Sequence, residues 1–145
     1  MQQPNNAKET SGTPGYMAPE VLFGKNHTTV VDYFACGAMC YEFMKGVKPY
    51  RGKNRKEIKE KIKEKEIKLD KKDLNEGWSL EAADFINQML QRQAVRRLGY
   101  KGGISEVKNI LGLKILIGKI YIIKYLFHLL FLMEKKIMNI NSAQR

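Results

Sequence analysis

Hydrophobic positions along this chain fall into separate groups divided by polar or breaker-rich stretches. Gly12, Pro14, Gly15 and Pro19 lie within one short run. Each proline fixes its own φ and pushes the residue before it, Thr13 or Ala18, out of the helical region. The glycines allow backbone angles that other residues avoid, so the run predicts a shaped loop and not a helix. Glu20 then opens a short amphipathic stretch, its carboxylate suited to a positive helix start. Val30 to Met44 is apolar on nearly every side, which predicts a helix buried at the centre of its domain. Asp32 stands at its start, Glu42 near its end, and Gly46 followed by Pro49 gives a stop.

The pattern changes after Pro49. Arg51 to Leu69 predicts a charged surface helix with a narrow stripe, Ile58 and Ile62, and with Ile67 and Leu69 beyond. Glu57 and Lys61 are spaced to support it as an i,i+4 pair. Residues 70–77 form a polar connector. Ser79 is a suitable N-cap for a helix with Phe85, Ile86, Met89 and Leu90 on one stripe and Asp84 off it. A short helix follows over residues 102–109, through Ile104 and Val107. The first nine residues are polar, lack periodicity and read as a mobile lead-in. Ile110 to Met133 is nearly all apolar, broken by Lys114, Lys119, Lys124 and His128.

Composition narrows this picture. With 145 residues the chain is long enough for one modest domain with a core. Its net charge of +11 concentrates in lysines between Lys53 and Lys72 that alternate with glutamates. No nucleic-acid motif or aromatic interleaving accompanies them, so they read as a solvated helix face. Cys36 and Cys40 would share a helix face. A metal pair would want a further Cys cluster or paired His, and buried free thiols in a reducing compartment fit better. The polar start carries no secretory signal, and a cytoplasmic or nuclear location is the expectation.

Thr10 to Leu22 reads Thr-Ser-Gly-Thr-Pro-Gly-Tyr-Met-Ala-Pro-Glu-Val-Leu. This run resembles the end of the activation segment of protein kinases, where Gly-Thr-Pro-x-Tyr leads into Ala-Pro-Glu. Two further motifs follow in the family's order. Asp32-Tyr33-Phe34-Ala35-Cys36-Gly37 resembles the start of the central helix of the kinase C-lobe, and Tyr41-Glu42-Phe43-Met44 with Gly46-Val47-Lys48-Pro49-Tyr50 continues it. Arg96-Arg97-Leu98-Gly99 stands where the C-lobe carries an arginine. The likeness is to serine/threonine kinases of the AGC group, the cyclic-nucleotide-dependent kinases among them, and it ends after Asn109. It implies a mainly α fold: part of a kinase C-lobe, four to six helices around the Val30–Met44 helix, without the N-lobe sheet. Residues 1–109 would be the partial kinase domain and residues 110–145 a divergent tail. The central helix would keep one side exposed and adhesive.

The resemblance also implies roles. Glu20 would pair with Arg97 across the C-lobe, as a bidentate fork. Asp32 would accept hydrogen bonds from a catalytic loop that these residues do not contain, and would lack its partner here. Thr13 would help place the substrate hydroxyl, and Pro14, Gly15 and Tyr16 would form the wall that receives the residue after the phosphoacceptor. Glu42 matches a position that binds a substrate arginine in cyclic-nucleotide-dependent kinases. Those kinases usually carry Glu at the position of Gly15, so Gly15 weakens the preference for basic substrates. Glu9 falls at the usual activating phosphothreonine, where its charge would imitate phosphate in part. Thr10 and Ser11 are candidate phosphorylation sites.

By family the reaction is phosphoryl transfer from ATP, with Mg²⁺, to a protein serine or threonine. The partners would be protein substrates with basic residues near the acceptor, and no nucleic acid. Neither a Gly-rich phosphate loop, nor His-Arg-Asp, nor Asp-Phe-Gly occurs in the sequence. No catalytic residue, cofactor-binding residue or metal ligand is therefore assigned. By itself the chain is expected neither to bind ATP tightly nor to phosphorylate. The rival expectations are a non-catalytic, kinase-like interaction module and a membrane-associated or misread product. The tail decides the last of these. A lysine near the bilayer centre costs roughly 2.5–3.5 kcal/mol and each Leu, Ile or Phe returns roughly 0.3–0.6 kcal/mol, so insertion of residues 110–133 is marginal. A frameshifted coding end and an apolar helix packed on protein are the other readings of that stretch.

Overall fold

The fold is built around α2, Val30–Lys45, sixteen residues long. Its buried positions include Phe34, Cys36, Ala38, Cys40 and Met44, spread around the helix as the all-round apolar sequence requires. Gly46 ends it in the left-handed region, at φ 70°, and donates its N–H to Glu42 O at 2.7 Å. Lys45 in the last turn suits the negative helix end and donates Nζ to the carbonyl of Asp73 at 2.7 Å. Phe43 is 55% exposed, while Val31 and Met39 are half-buried against the core.

The computed structural model describes residues 6–8 and 11–110. Around α2 stand α1 (Pro19–Leu22), α3 (Arg55–Glu64), α4 (Leu80–Met89) and α5 (Gly103–Lys108), with 3-10 turns at Lys71–Asp73 and Ala94–Arg96. No strand occurs among the described residues, so the fold is helical, as a piece of kinase C-lobe would be.

Helix α4 is the main partner of α2. Ser79 caps it, its Oγ accepting from Ala82 N at 3.2 Å. Phe85, Ile86, Met89 and Leu90 are all fully buried and Asp84 is exposed. Each such side chain contributes about 1.5–3 kcal/mol of burial. The approach is close enough to need Gly37: a Cβ there would lie 2.5 Å from Met89 Cβ.

Helix α3 is shorter than its charge pattern predicts. Asn54 caps it, with Oδ1 accepting from Glu57 N at 3.0 Å, and Ile58 and Ile62 bury its narrow stripe. The expected helix from Arg51 to Leu69 is corrected at both ends. After Glu64 the chain is extended, and Ile67 and Leu69 are buried while Glu66, Lys68 and Asp70 are exposed. That alternation has the two-residue period of an extended chain, and it won over helix propensity. Asn87 fixes the segment by pairing both main-chain groups of Leu69, at 2.7 and 2.8 Å. The spaced pair Glu57 and Lys61 also turns elsewhere: Glu57 accepts from Lys53 N, and Lys61 donates to the carbonyl of Arg51.

The lead-in is partly held in place. The side-chain amide of Asn6 brackets His27, donating to its carbonyl at 2.9 Å and accepting its N–H at 3.0 Å. The mobile reading is therefore corrected for residues 6–8. Cys36 and Cys40 are free and buried. The hydrogen bond with Cys36, then burial, pushes the Cys40 thiol well above its usual range. Among the described residues no helix is long and apolar enough to cross a membrane. The expectations for the tail beyond Ile110 lie outside the described residues.

Candidate functional site

The loop from Ser11 to Ala18 is shaped as its prolines and glycines require. Tyr16 N donates to Thr13 O at 3.0 Å and Met17 N to Pro14 O at 3.4 Å, which closes a turn around Pro14 and Gly15. Ala18 is extended, at ψ 149°, because Pro19 follows it. Pro19 then takes the first helical position of α1, where its missing N–H costs nothing. Met17 and Ala18 are buried under the loop, while Ser11 and Thr13 are exposed.

Two side-chain contacts tie this loop and α1 to the rest. Arg97, 1% exposed, forks onto Glu20: Nη1 donates to Oε1 at 2.7 Å and Nη2 to Oε2 at 3.0 Å. The same guanidinium donates to Val30 O and to Gln91 O, each at 3.1 Å, and lies 5.0 Å from the centre of the Phe34 ring. One cation thus joins α1, the start of α2 and the end of α4. It is fully satisfied, as are the other buried side-chain polar atoms of the described residues.

The second contact is Tyr16 to Glu42. The phenol donates to Glu42 Oε2 at 2.5 Å, which places the last turn of α2 directly behind the loop. The Tyr16 hydroxyl is pushed above the ordinary tyrosine value by that hydrogen bond first, then by burial and by the Glu42 charge. A carboxylate has about four acceptor positions, so Glu42 keeps capacity for another donor. Lys48 lies against the Tyr16–Gly15 segment, its ammonium 4.5 Å from the Tyr16 ring centre. At half-exposed sites such a contact contributes roughly 0.5–1 kcal/mol.

Of the residues singled out from the sequence, Tyr16 and Glu42 are joined directly; Pro14 beside them is half-buried, Gly15 is buried and Thr13 is exposed. Asp32 is half-buried in the first turn of α2 and is not without a partner, so the expectation of a stranded carboxylate is corrected. Glu9 and Thr10 lie outside the described residues. Lys48 and its basic neighbours were not singled out from the sequence. The signal was the cations around Pro49, Lys48 before it and Arg51, Lys53 and Arg55 after it, but only the fold sets them against a loop more than thirty positions earlier.

This surface holds no constellation for proton transfer or nucleophilic attack. Among the described residues no three His, Cys, Asp or Glu side chains converge. The arrangement sets the Glu42 carboxylate and the Lys48 ammonium near the same loop.

Comparison with known proteins agrees with the architecture. The family described as protein kinase domain matches residues 1–110. Over 106 residues the chain is 36% identical to "Rhodopsin kinase GRK1" of Rattus norvegicus, covering 70% of this chain and 18% of that protein. It is 36% identical over 99 residues to "cAMP-dependent protein kinase, catalytic subunit-like" of Caenorhabditis elegans, covering 68% of this chain and 24% of the relative. To "Serine/threonine-protein kinase YPK1" of Saccharomyces cerevisiae it is 34% identical over 98 residues, 68% of this chain and 14% of the relative. The chain therefore spans less than a third of the length of each of these relatives.

Proposed function

Since the chain belongs to the protein kinase family and resembles its serine/threonine members of the AGC group, we propose that it supplies the peptide-docking part of such a kinase's C-lobe. Kinases of this family move the γ-phosphoryl group of ATP, with Mg²⁺, to a protein hydroxyl. The 145 residues carry none of the three motifs named above for phosphate, catalytic loop and metal, so we assign this chain the docking surface and not the transfer step. Thr13 would stand at the acceptor hydroxyl. Pro14, Gly15 and Tyr16 would take the residue after it. Glu42 would share its carboxylate between the Tyr16 phenol and a cation of the substrate, a charge-assisted bond. Ser11, exposed on the same loop, is the proposed modification site together with Thr10.

Two contacts support this most: the Arg97 fork onto Glu20 and the Tyr16 bond to Glu42 tie the loop and α1 to the rest of the fold. Such preorganisation lowers the ordering cost of binding. The test is backbone NMR of the full chain titrated with a serine peptide carrying an arginine before the acceptor. The amides of Gly15, Tyr16 and Glu42 should shift together. Shifts confined to other surfaces, or phosphorylation of the peptide by the purified chain and ATP, would remove this assignment.

A further inference from the structure

Between Thr13–Gly15 and the start of α3 lies a cleft of about 310 Å³, at the small end of ligand pockets, which run roughly 300–1,000 Å³. Lys48, Arg51, Lys53 and Arg55 line the cleft, and no Asp or Glu does; the Arg55 guanidinium also donates to Met17 Sδ at 3.5 Å. The nearby carboxylate of Glu57 is turned to the backbone N–H of Lys53, at 2.8 Å. Tyr50 and Ile58 supply an apolar floor. Gly15 admits the first of the cations, since a Cβ there would fall 2.8 Å from Lys48 Cδ.

We propose that this cleft takes an anionic side chain, a carboxylate or a phosphate ester, borne by the residue that follows the hydroxyl acceptor. The proposal rests on the docking reading above, which sets that residue against Pro14, Gly15 and Tyr16. Its physical basis is separate from that reading. Four cations around one small cleft, with no acid among its lining, make a positive potential that low-dielectric walls focus. The floor suits the methylene stem of a glutamate or phosphoserine, and the rim suits its charged end. The cleft shares Thr13, Pro14 and Gly15 with the peptide loop, so a side chain of the docked peptide is the fitting occupant. Charge then runs along the docked peptide, basic toward Glu42 and acidic toward Lys48 and Arg51.

Fluorescence anisotropy on the full chain tests this with peptides differing only after the acceptor serine: Glu, phosphoserine, Leu or Lys. A fifth peptide moves the Glu to the far end and keeps the net charge. An anion facing two rim cations should bind about tenfold more tightly than Leu, and Lys more weakly still. The Glu and phosphoserine peptides should also exceed the relocated-Glu peptide. Arg51→Gln with Lys53→Gln, both exposed and checked for unchanged helicity, should erase the advantage; Lys48→Gln alone should halve it or more. Equal binding of the Glu, Leu and relocated-Glu peptides overturns the proposal while leaving the docking surface standing. Preference for any anionic peptide wherever its charge sits overturns it as general attraction to a basic chain. Competition by inorganic phosphate with no dependence on the following residue overturns it as free-anion binding. Failure of every peptide to bind removes both readings.

Discussion

Glu20 and Arg97 lie 77 positions apart in sequence, yet they meet through two parallel hydrogen bonds at 2.7 and 3.0 Å, with the guanidinium fully buried. The pair does more than attract. Arg97 also takes up the carbonyls of Val30 and Gln91, so the loop before α1 and the turn after α4 are fixed to the same point on α2.

Breaking this pair from one side should be costly. Glu20→Gln keeps the shape but leaves a buried cation without its counter-charge, and should cost about 3–5 kcal/mol in urea denaturation. Arg97→Lys keeps the charge and loses the fork, and should also destabilise. Glu20→Ala combined with Arg97→Ala should cost less than the sum of the two by about 0.5–3 kcal/mol, because the residues act as a unit. Additive losses would show that the clasp does not carry the coupling.

Gly37 sets two effects against each other. Alanine at a helix interior gains up to about 1 kcal/mol in propensity over glycine. Here its Cβ would sit 2.5 Å from Met89 Cβ and 3.2 Å from the Met89 backbone. Overpacking of that kind costs about 1–3 kcal/mol, and the backbone atom leaves little room to yield. Gly37→Ala should therefore lower stability in thermal or urea unfolding. A rise in Tm would mean that α2 and α4 do not cross this closely.

The alkaline limb of stability should report on Tyr16. Its folded pKa is raised by the hydrogen bond to Glu42, so the unfolded chain gives up this proton first. The contact therefore stabilises fully below about pH 10, the unfolded value, and is lost as pH rises through the higher folded value. Glu42→Gln should bring the Tyr16 titration down, as followed by NMR of tyrosine ring carbons. Tyr41 and Tyr50, raised first by burial, should not move with it. A Tyr16 titration indifferent to the Glu42 substitution would argue against the contact.

Some features were fixed by residues acting on their own neighbourhood. The loop at Gly12–Pro19, the all-round apolar α2 and its stop at Gly46, and the cap at Ser79 follow from backbone sterics, hydrophobic period and local hydrogen bonding. These operate over a few positions, so a sequence displays them, and the motif order made the C-lobe legible. The end of α3 was decided otherwise. Lys65 to Leu69 could be helical by propensity, and burial of Ile67 and Leu69 together with the amide of Asn87 drew the segment out straight. The anchoring of Asn6 on His27 depended likewise on a partner twenty-one positions away.

The functional surface divides in the same way. Sequence supplied Thr13 to Tyr16 and Glu42 as residue types in a recognisable order. Only the tertiary structure joined the Tyr16 phenol to Glu42, laid Lys48 over Gly15 and gathered four cations around one cleft. Charge acts through space, whatever the separation along the chain. Which charges face one another is settled by how the helices pack.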